Sequence, residues 1–267
     1  MDPFASLQDW PGRSAAAFVR PTGQVERHGD TTEPFALASI TKLLTAMAAL
    51  VAHEEGTLDL DEPLAAGGAT TADLLAHTAG VAPDSSKTLT PPRTRRIYST
   101  AAYDIVGDAI AERAEMPFPD YLHEAVSVPL GLRSTRLTGS AGAGAWGSVD
   151  DLVRVIDAWR RPVLIAEVTL RRAISPHLGD LDGVLPGFGA QRPNPWGIGP
   201  EIRGTKSPHW TSSANSPRTY GHFGQTGTMF WIDPVPGMAA VALCTEPFGP
   251  WAAEAWPRFS DAVLTAG

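Results

Sequence analysis

The stretch PFALASITKLLTAMAALVAHEEG, residues 34–56, decides how the rest of the sequence is interpreted. Its apolar residues recur at helical spacing, which predicts a helix that starts near Ser39. Gly56 is expected to end that helix, because glycine readily adopts the left-handed conformation that closes helices. Lys42 lies on the first turn, where the positive end of the helix dipole disfavours a cation. The position of this lysine therefore needs an explanation.

Ser39 and Lys42 are three residues apart, so their side chains share one face of the predicted helix. A serine hydroxyl becomes a nucleophile when a neighbouring base takes its proton. Lysine can be that base if burial and positive surroundings lower its pKa. The plain alternative is an N-cap serine followed by a lysine that points into solvent. With 16 serines and three lysines in 267 residues, roughly 0.2 such pairs arise by chance, so spacing alone leaves both interpretations open.

Two further stretches carry candidate site residues. RIYSTAAYDIVG (96–107) places Tyr98 just ahead of a predicted helix. There it either packs in the core or brings a phenol to Lys42, to act as a base in its phenolate form. YGHFGQTGTMFWIDP (220–234) contains His222 among glycines that precede a strand, where a substrate or another backbone can come close. This histidine either binds the carbonyl or anionic end of a ligand or belongs to an ordinary turn.

The composition limits the partners. Lysine and arginine number 21 against 29 acidic residues, a formal charge of -8, which argues against nucleic acid or an anionic membrane as a partner. The densest basic cluster, Arg93, Arg95 and Arg96, belongs either to a solvated loop or to a contact with an anionic substrate. The single cysteine, Cys244, is expected to pack as a small hydrophobe. Oligomeric state stays open.

The sequence also gives an expectation about location. No apolar run approaches the ~20 residues of a membrane span, and MDPFASLQDW (1–10) has neither the basic nor the apolar region of a signal peptide. We therefore expect a cytoplasmic protein, or a secreted one if a leader has been removed.

Strand and helix patterns are segregated along the chain. Strands are predicted at both ends and helices mainly in the middle; the strands are 14–20, 22–27, 228–234 and 237–244, and the helices 39–55, 70–80, 99–115, 148–161 and the C-terminal 251–267. From about Gly183 to Pro217 the sequence predicts loops, with a possible strand near Trp196. The fold class is therefore α+β, an α/β sandwich. One antiparallel sheet built from both termini is covered by terminal helices, beside an all-helical insertion.

This arrangement predicts two parts. Residues 1–65 together with 186–267 form the sheet domain, and residues 66–185 form the mainly helical insertion. The active site is expected in the cleft between them, since such clefts are usual ligand sites.

Taken in order, the three stretches resemble the motifs of the serine β-lactamase and penicillin-binding-protein superfamily. They are most similar to the branch with class C β-lactamases, D-alanyl-D-alanine carboxypeptidases and β-lactamase-like esterases. The motifs correspond to S-x-x-K at Ser39 and Lys42, Y-x-N at Tyr98 with Thr100 in the asparagine position, and H-x-G at His222, Phe223 and Gly224. GTLDLDEPL (56–64) and LLAHTAG (74–80) match this branch too. The resemblance covers nearly the whole chain and implies a β-lactamase/transpeptidase-like fold.

The resemblance also implies roles. Ser39 would be acylated, and Lys42 and Tyr98 would share the proton as base and acid. The backbone N–H groups of Ser39 and Gln225 would form the oxyanion hole. The remaining motif residues would contact the substrate: Thr100, His222, Phe223 and Gly224. No metal ion and no organic cofactor is implied.

Departures from the motifs bear on the substrate. Thr100 cannot reproduce the donor and acceptor pair of an asparagine amide, and His222 is only partly charged near neutrality. Both changes favour a small ester or amide substrate, cleaved through an acyl-Ser39 intermediate. The alternatives are a D-alanyl-D-alanine carboxypeptidase or β-lactamase, which would act on a peptide or a β-lactam, and a catalytically silent binding protein. Short loops after Gly183 predict an open cleft.

Overall fold

The main sheet of the computed structural model, which describes residues 2–266, has six antiparallel strands drawn from both ends of the chain. The strand order is β10-β11-β12-β13-β1-β2. In chain order the strands are β1 (Ser14–Val19), β2 (Val25–His28), β3 (Phe35–Ala36), β4 (Pro63–Ala65), β5 (Ala69–Thr70), β6 (Arg136–Leu137), β7 (Ala145–Gly147), β8 (Gly183–Leu185), β9 (Gly189–Gln191), β10 (Glu201–Ile202), β11 (Tyr220–Gly224), β12 (Thr228–Asp233) and β13 (Met238–Cys244). The expected α+β sheet built from both termini is confirmed.

Helices cover both faces of this sheet. In chain order the α-helices are α1 (Thr41–Glu55), α2 (Thr71–Leu75), α3 (Ala101–Ala114), α4 (Phe118–Leu122), α5 (Val128–Leu130), α6 (Val149–Arg160), α7 (Glu167–Ala173) and α8 (Pro250–Thr265). Of these helices, α1, α6 and α8 contact the strands of the main sheet. Strand side chains alternate between the faces: on β1, Ala16 and Phe18 pack with α8, whereas Ala15 and Ala17 pack with α1 and α6. Central strands covered on both faces can be apolar throughout, which explains the run MAAVALC in β13.

Helix α1 is buried on nearly every side. Eleven of its 15 residues are buried, Lys42 among them. A helix that is apolar all round belongs inside a core, so Lys42 has no exposed face to occupy and is 0% exposed. A solvent-facing lysine is therefore excluded. Gly56 ends the helix with φ 79°, as the sequence predicted.

Helices dominate the segment 66–185, and short strands also lie within it. Two of these, β6 and β7, form a three-stranded sheet with β3, which leads directly to Ser39. The region expected to be loops, 183–217, contains the hairpin β8–β9 and the edge strand β10. Near Trp196 the structure has a single bridge to Glu201 rather than a strand. No helix within residues 2–266 is long and apolar enough to cross a bilayer.

Asp73 fixes the start of α2 and the turn that follows it. Its carboxylate accepts hydrogen bonds from Thr70 N (3.0 Å) and Thr78 Oγ1 (2.9 Å), and it pairs with Arg93 and with His177. Burial opposes the charged form. The hydrogen bonds from His177, Thr70, Arg93 and Thr78 outweigh it and hold the pKa of Asp73 well below its usual range.

We predict that Asp73→Asn lowers the free energy of unfolding at pH 7 by about 2 kcal/mol, because several hydrogen bonds lose their charged acceptor. A depressed carboxylate pKa stabilises the protein above the unfolded value near 3.8 and loses that contribution as pH falls further. The difference in the free energy of unfolding between wild type and Asp73→Asn should therefore become smaller below about pH 4. Urea unfolding at pH 7, 5 and 3.5 measures it.

Asp61→Asn is the control, because the Asp61–Arg172 pair is exposed. Its cost should stay within about 1 kcal/mol. Equal costs for the two variants, or a pH-independent difference at Asp73, would contradict this assignment.

Candidate active site

Ser39 lies on a 3-10 turn, Ala38–Ile40, that runs straight into α1. The residue before it, Ala38, has φ 44°, a left-handed conformation that costs a non-glycine residue free energy and persists only where the surroundings enforce it. The turn presents a half-buried Ser39 at the mouth of a pocket, with the first turn of α1 behind it.

Lys42 has three oxygen neighbours. Its Nζ lies 2.8 Å from the carbonyl oxygen of Gly142, 3.2 Å from Thr100 Oγ1 and 3.4 Å from Ser39 Oγ. Burial lowers the pKa of Lys42 to about 7, and only the distant charge of Asp104 opposes this. A neutral amine has two N–H groups and one lone pair. If Gly142 and Thr100 accept the two N–H groups, the lone pair faces the hydroxyl of Ser39.

Thr100, predicted to contact the substrate, thus lies against Lys42 and does not line the pocket. Gly142 belongs to a loop that the sequence analysis missed. Asp104 of α3 holds this loop by accepting from Ser140 Oγ (2.7 Å) and Ala141 N (2.8 Å). An added Cβ at Gly142 would lie 2.8 Å from the side chain of Thr100, so only glycine fits at this position.

Tyr98 lies between Ser39 and His222. Its ring is 4.7 Å from Lys42 Nζ, and its hydroxyl is 3.5 Å from His222 Nε2. Burial raises the pKa of Tyr98 well above its usual value, although a hydrogen bond with Ser39 acts in the opposite direction. Of the roles considered from the sequence, this raised pKa favours a phenol that can donate a proton near neutral pH over a phenolate base.

His222 is neutral and its tautomer is fixed. Burial, followed by the charge of Lys42, lowers the pKa of His222 to about 3. Nδ1 lies 2.7 Å from the carbonyl oxygen of Phe223. Since a carbonyl only accepts, Nδ1 carries the proton and Nε2 faces Tyr98 with its lone pair. This geometry suits a place in a proton network and gives no positive charge to hold a substrate carboxylate.

The two expected oxyanion donors come from adjacent segments. Thr226 Oγ1 donates to Ala36 O (2.6 Å) and Thr228 Oγ1 to Leu37 O (3.1 Å), which ties the turn after β11 to the chain just before Ser39. The N–H of Ser39 is among the first of its helix, where no intrahelical acceptor exists. Gln225 follows the end of β11 and lines the same pocket as Ser39.

Gly224, which the motif predicts to contact the substrate, also makes this close approach possible. An added Cβ would lie 2.4 Å from Thr228 Oγ1 and 2.5 Å from the carbonyl oxygen of Leu37. Real Cβ atoms do not come so close, so any other residue would push the two segments apart.

The pocket beside Ser39 is narrow: the empty space between its walls, with the solvent at its mouth included, is about 310 Å³. Its lining is mostly apolar and aromatic, and consists of Ser39, Tyr98, Leu185, Pro186, Trp196, Glu201, His222, Phe223 and Gln225. The open cleft expected from the sequence is wrong, because the hairpin β8–β9 and Trp196 close one side. A wider groove beside α6 contains none of the predicted site residues.

Behind the pocket lies a buried charged cluster that the sequence analysis missed. The Glu201 carboxylate accepts hydrogen bonds from Lys206, from His209 Nε2 (2.9 Å) and from the indole of Trp210. Burial opposes the ionised form, but Lys206 and His209 outweigh it and hold the pKa of Glu201 well below its usual range. These residues fall in the Pro-, Gly- and Trp-rich stretch, where no periodicity indicates burial.

Two residues of the cluster Arg93, Arg95 and Arg96 make contacts within the protein. Arg93 pairs with Asp73. Arg96 is buried and donates to the carbonyl oxygens of Ala76 and His177, instead of meeting solvent or a substrate. None of the three arginines lines the pocket.

We predict that Gly224→Ala greatly reduces labelling of Ser39 by a fluorophosphonate, since it separates Gln225 from Ser39. It should also lower the free energy of unfolding by about 2 kcal/mol through overpacking. Intact-mass spectrometry over time measures the labelling. Gly249→Ala is the control, because its Cβ would meet nothing closer than 3.7 Å and its φ of −165° suits any residue. Unchanged labelling in Gly224→Ala would contradict the close approach.

Known proteins share the fold of this chain. A crystal structure described as a beta-lactamase from Mycobacterium bovis is 46% identical, covers 99% of this chain and 98% of that chain, and superposes with a TM-score of 0.97. Simvastatin synthase LovD from Aspergillus terreus has the same fold, with a TM-score of 0.82 at 17% identity, over 100% of this chain and 99% of that one.

A curated relative from Salmonella gallinarum, named a putative D-alanyl-D-alanine carboxypeptidase, is 27% identical over 224 residues. That match covers 66% of this chain and 50% of the relative, so the chain spans about half the length of the curated relatives it matches. The family model described as Beta-lactamase matches residues 11–264. The chain belongs to the beta-lactamase family.

Proposed function

We propose that this protein is a serine hydrolase that cleaves small, uncharged esters through an acyl-Ser39 intermediate. The observation that carries the proposal is the environment of Lys42. Its Nζ is buried, 3.4 Å from Ser39 Oγ, and its other two oxygen neighbours can accept its N–H groups. A buried lysine with a pKa of about 7 is partly unprotonated at neutral pH and can accept the serine proton.

Acylation proceeds in three proton transfers. Lys42 takes the proton of Ser39 as Oγ attacks the ester carbonyl, and the N–H groups of Ser39 and Gln225 stabilise the oxyanion. The new ammonium group faces the Gly142 carbonyl and the rings of Tyr98 (4.7 Å) and Tyr103 (5.3 Å), which favour a cation. Tyr98 protonates the departing alkoxide and recovers its proton from Lys42. Water then releases the acyl group from Ser39.

The pocket supports a small, uncharged substrate. Its walls are Leu185, Pro186, Trp196 and Phe223, which suit a short aliphatic or aromatic acyl group. Its ionised residue is Glu201, and no lysine or arginine is among its lining residues within 2–266. A substrate carboxylate would meet the neutral ring of His222 and the Glu201 carboxylate, which already pairs with Lys206. A simple ester has no charge that the pocket must hold.

The second candidate is hydrolysis of β-lactams. It is supported by the description of the 46%-identical Mycobacterium bovis chain as a beta-lactamase. It requires the pocket to accept a carboxylate, so ester and β-lactam substrates distinguish the two candidates directly.

The test of the proposal is intact-mass spectrometry after mixing with a fluorophosphonate, penicillins and p-nitrophenyl esters of two to ten acyl carbons. We expect an adduct on wild type that Ser39→Ala loses, and turnover of short esters that falls as the chain lengthens. Turnover of a penicillin above that of the short esters would favour the second candidate, and D-alanine release from a D-Ala-D-Ala peptide would favour a carboxypeptidase. No adduct with any reagent would contradict both candidates and favour a binding protein.

The pH dependence tests the base. The reactive form of Lys42 is the unprotonated one, so the acylation rate should rise about tenfold per pH unit well below pH 7 and level off above it. His222, with a pKa of about 3, does not titrate in this range. Stopped-flow acylation by p-nitrophenyl acetate between pH 5.5 and 7.5 measures it. A flat profile, or near-wild-type rates in Lys42→Ala, would contradict the assignment of Lys42 as the base.

A further inference from the structure

His77 is a buried histidine that the mechanism leaves without a role. It is 1% exposed and lies in the turn after α2, with a left-handed φ of 61°. Histidine adopts this conformation more readily than most residues, but it still costs free energy. A strained, buried, polar side chain next to a candidate active site calls for an explanation from its contacts.

His77 accepts hydrogen bonds from the chain on both sides of Tyr98. The N–H of Ile97 donates to the backbone carbonyl of His77 (2.9 Å), and the N–H of Ser99 donates to the ring Nδ1 (3.1 Å). The ring also packs against the phenol of Tyr98, with 4.6 Å between the ring centroids. One residue therefore holds the peptide groups before and after Tyr98 and one face of its side chain.

These contacts require a neutral ring in one tautomer. Nδ1 can accept from Ser99 only if it carries no proton, so the proton is on Nε2. Burial, and then the positive charges of Lys42 and Arg96, keep the pKa of His77 well below its usual value. Nε2 has no hydrogen-bond partner among the described residues. The ring instead meets the indole of Trp196 at 88° with 4.6 Å between centroids, a geometry that suits a weak contact with a π face.

We infer that His77 is a positioning residue: it fixes Tyr98 between Ser39 and His222 through the Ser99 N–H, the Ile97 N–H and the face of the phenol. The inference rests on the proposed function for its effect on activity. The contacts that hold Tyr98 are a property of the folded chain and need no substrate. The effect of His77 on kcat and its effect on the Ser99 amide can therefore be measured separately.

Three variants separate the acceptor from the backbone strain. His77→Asn keeps a side-chain oxygen that can accept from Ser99, in a residue that tolerates the left-handed conformation. His77→Gly removes the acceptor and relieves the strain, whereas His77→Leu removes the acceptor and keeps the bulk. We expect kcat for p-nitrophenyl acetate to fall about 100-fold in the Gly and Leu variants. The Asn variant should stay within about tenfold of wild type, which a role in packing alone would not produce.

The matched control is Asp151→Asn. Asp151 is equally buried and accepts hydrogen bonds from Arg133 and Ser134, away from the pocket lining. The Asp151→Asn substitution should lower the melting temperature without changing kcat. If His77→Gly or His77→Leu kept wild-type kcat, or if His77→Asn lost as much activity as His77→Leu, the positioning role would be overturned.

Amide hydrogen exchange at Ser99, followed by NMR, tests these contacts without any substrate. Exchange at Ser99 should be faster in His77→Gly and His77→Leu than in wild type and in His77→Asn. Unchanged protection in all variants would overturn the inference. If Ser39 of the wild-type protein were not acylated, the proposed function would be contradicted. Hydrogen exchange at the Ser99 amide would still show whether His77 holds the chain around Tyr98.

Discussion

Burial of the Lys42 amine is the constraint on which the rest of the site depends. Removing an ammonium group from water is costly, and no carboxylate hydrogen-bonds to Lys42 among residues 2–266. The structure supplies a carbonyl, two hydroxyls and two aromatic faces, which suit an amine that is neutral for part of the time. The free energy that burial costs the charged lysine lowers its pKa, which is why an unprotonated amine is available to accept a proton near neutral pH.

Three segments meet at this amine through Ser39, Thr100 and Gly142. Contacts that do not involve a substrate fix the segments of Gly142 and Ser39. Asp104 anchors the loop that offers the Gly142 carbonyl. Close packing at Gly224 brings the turn after β11 against the residues before Ser39. Strained backbone occurs at Ala38 and at His77, both next to residues assigned a chemical role. Strain of this kind persists only where surrounding packing enforces it, so the fold pre-organises the site.

The sequence predicted what short-range pattern can carry. The helix from Ser39 to Gly56, the terminal strands and the serine–lysine spacing follow from periodicity and from residues three apart. For Thr100, the motif position predicts a contact with the substrate, but it carries no information about which protein side chain Thr100 meets. Its hydrogen bond with Lys42 therefore came only from the structure. Glu201 and Lys206 were missed for a related reason: their burial results from long-range packing of an irregular stretch, which no local pattern encodes.

The protonation states also needed the structure. From sequence, Tyr98 and His222 have ordinary pKa values, and a phenolate beside a partly charged histidine is a reasonable expectation. Burial reverses both, because each ring packs against other aromatic rings, and the charge of Lys42 lowers the pKa of His222 further. A neutral phenol and a neutral imidazole leave Lys42 as the titrating base near pH 7. The same burial that leaves Lys42 partly unprotonated near pH 7 therefore keeps its neighbours neutral, so that they donate and relay protons rather than compete for them.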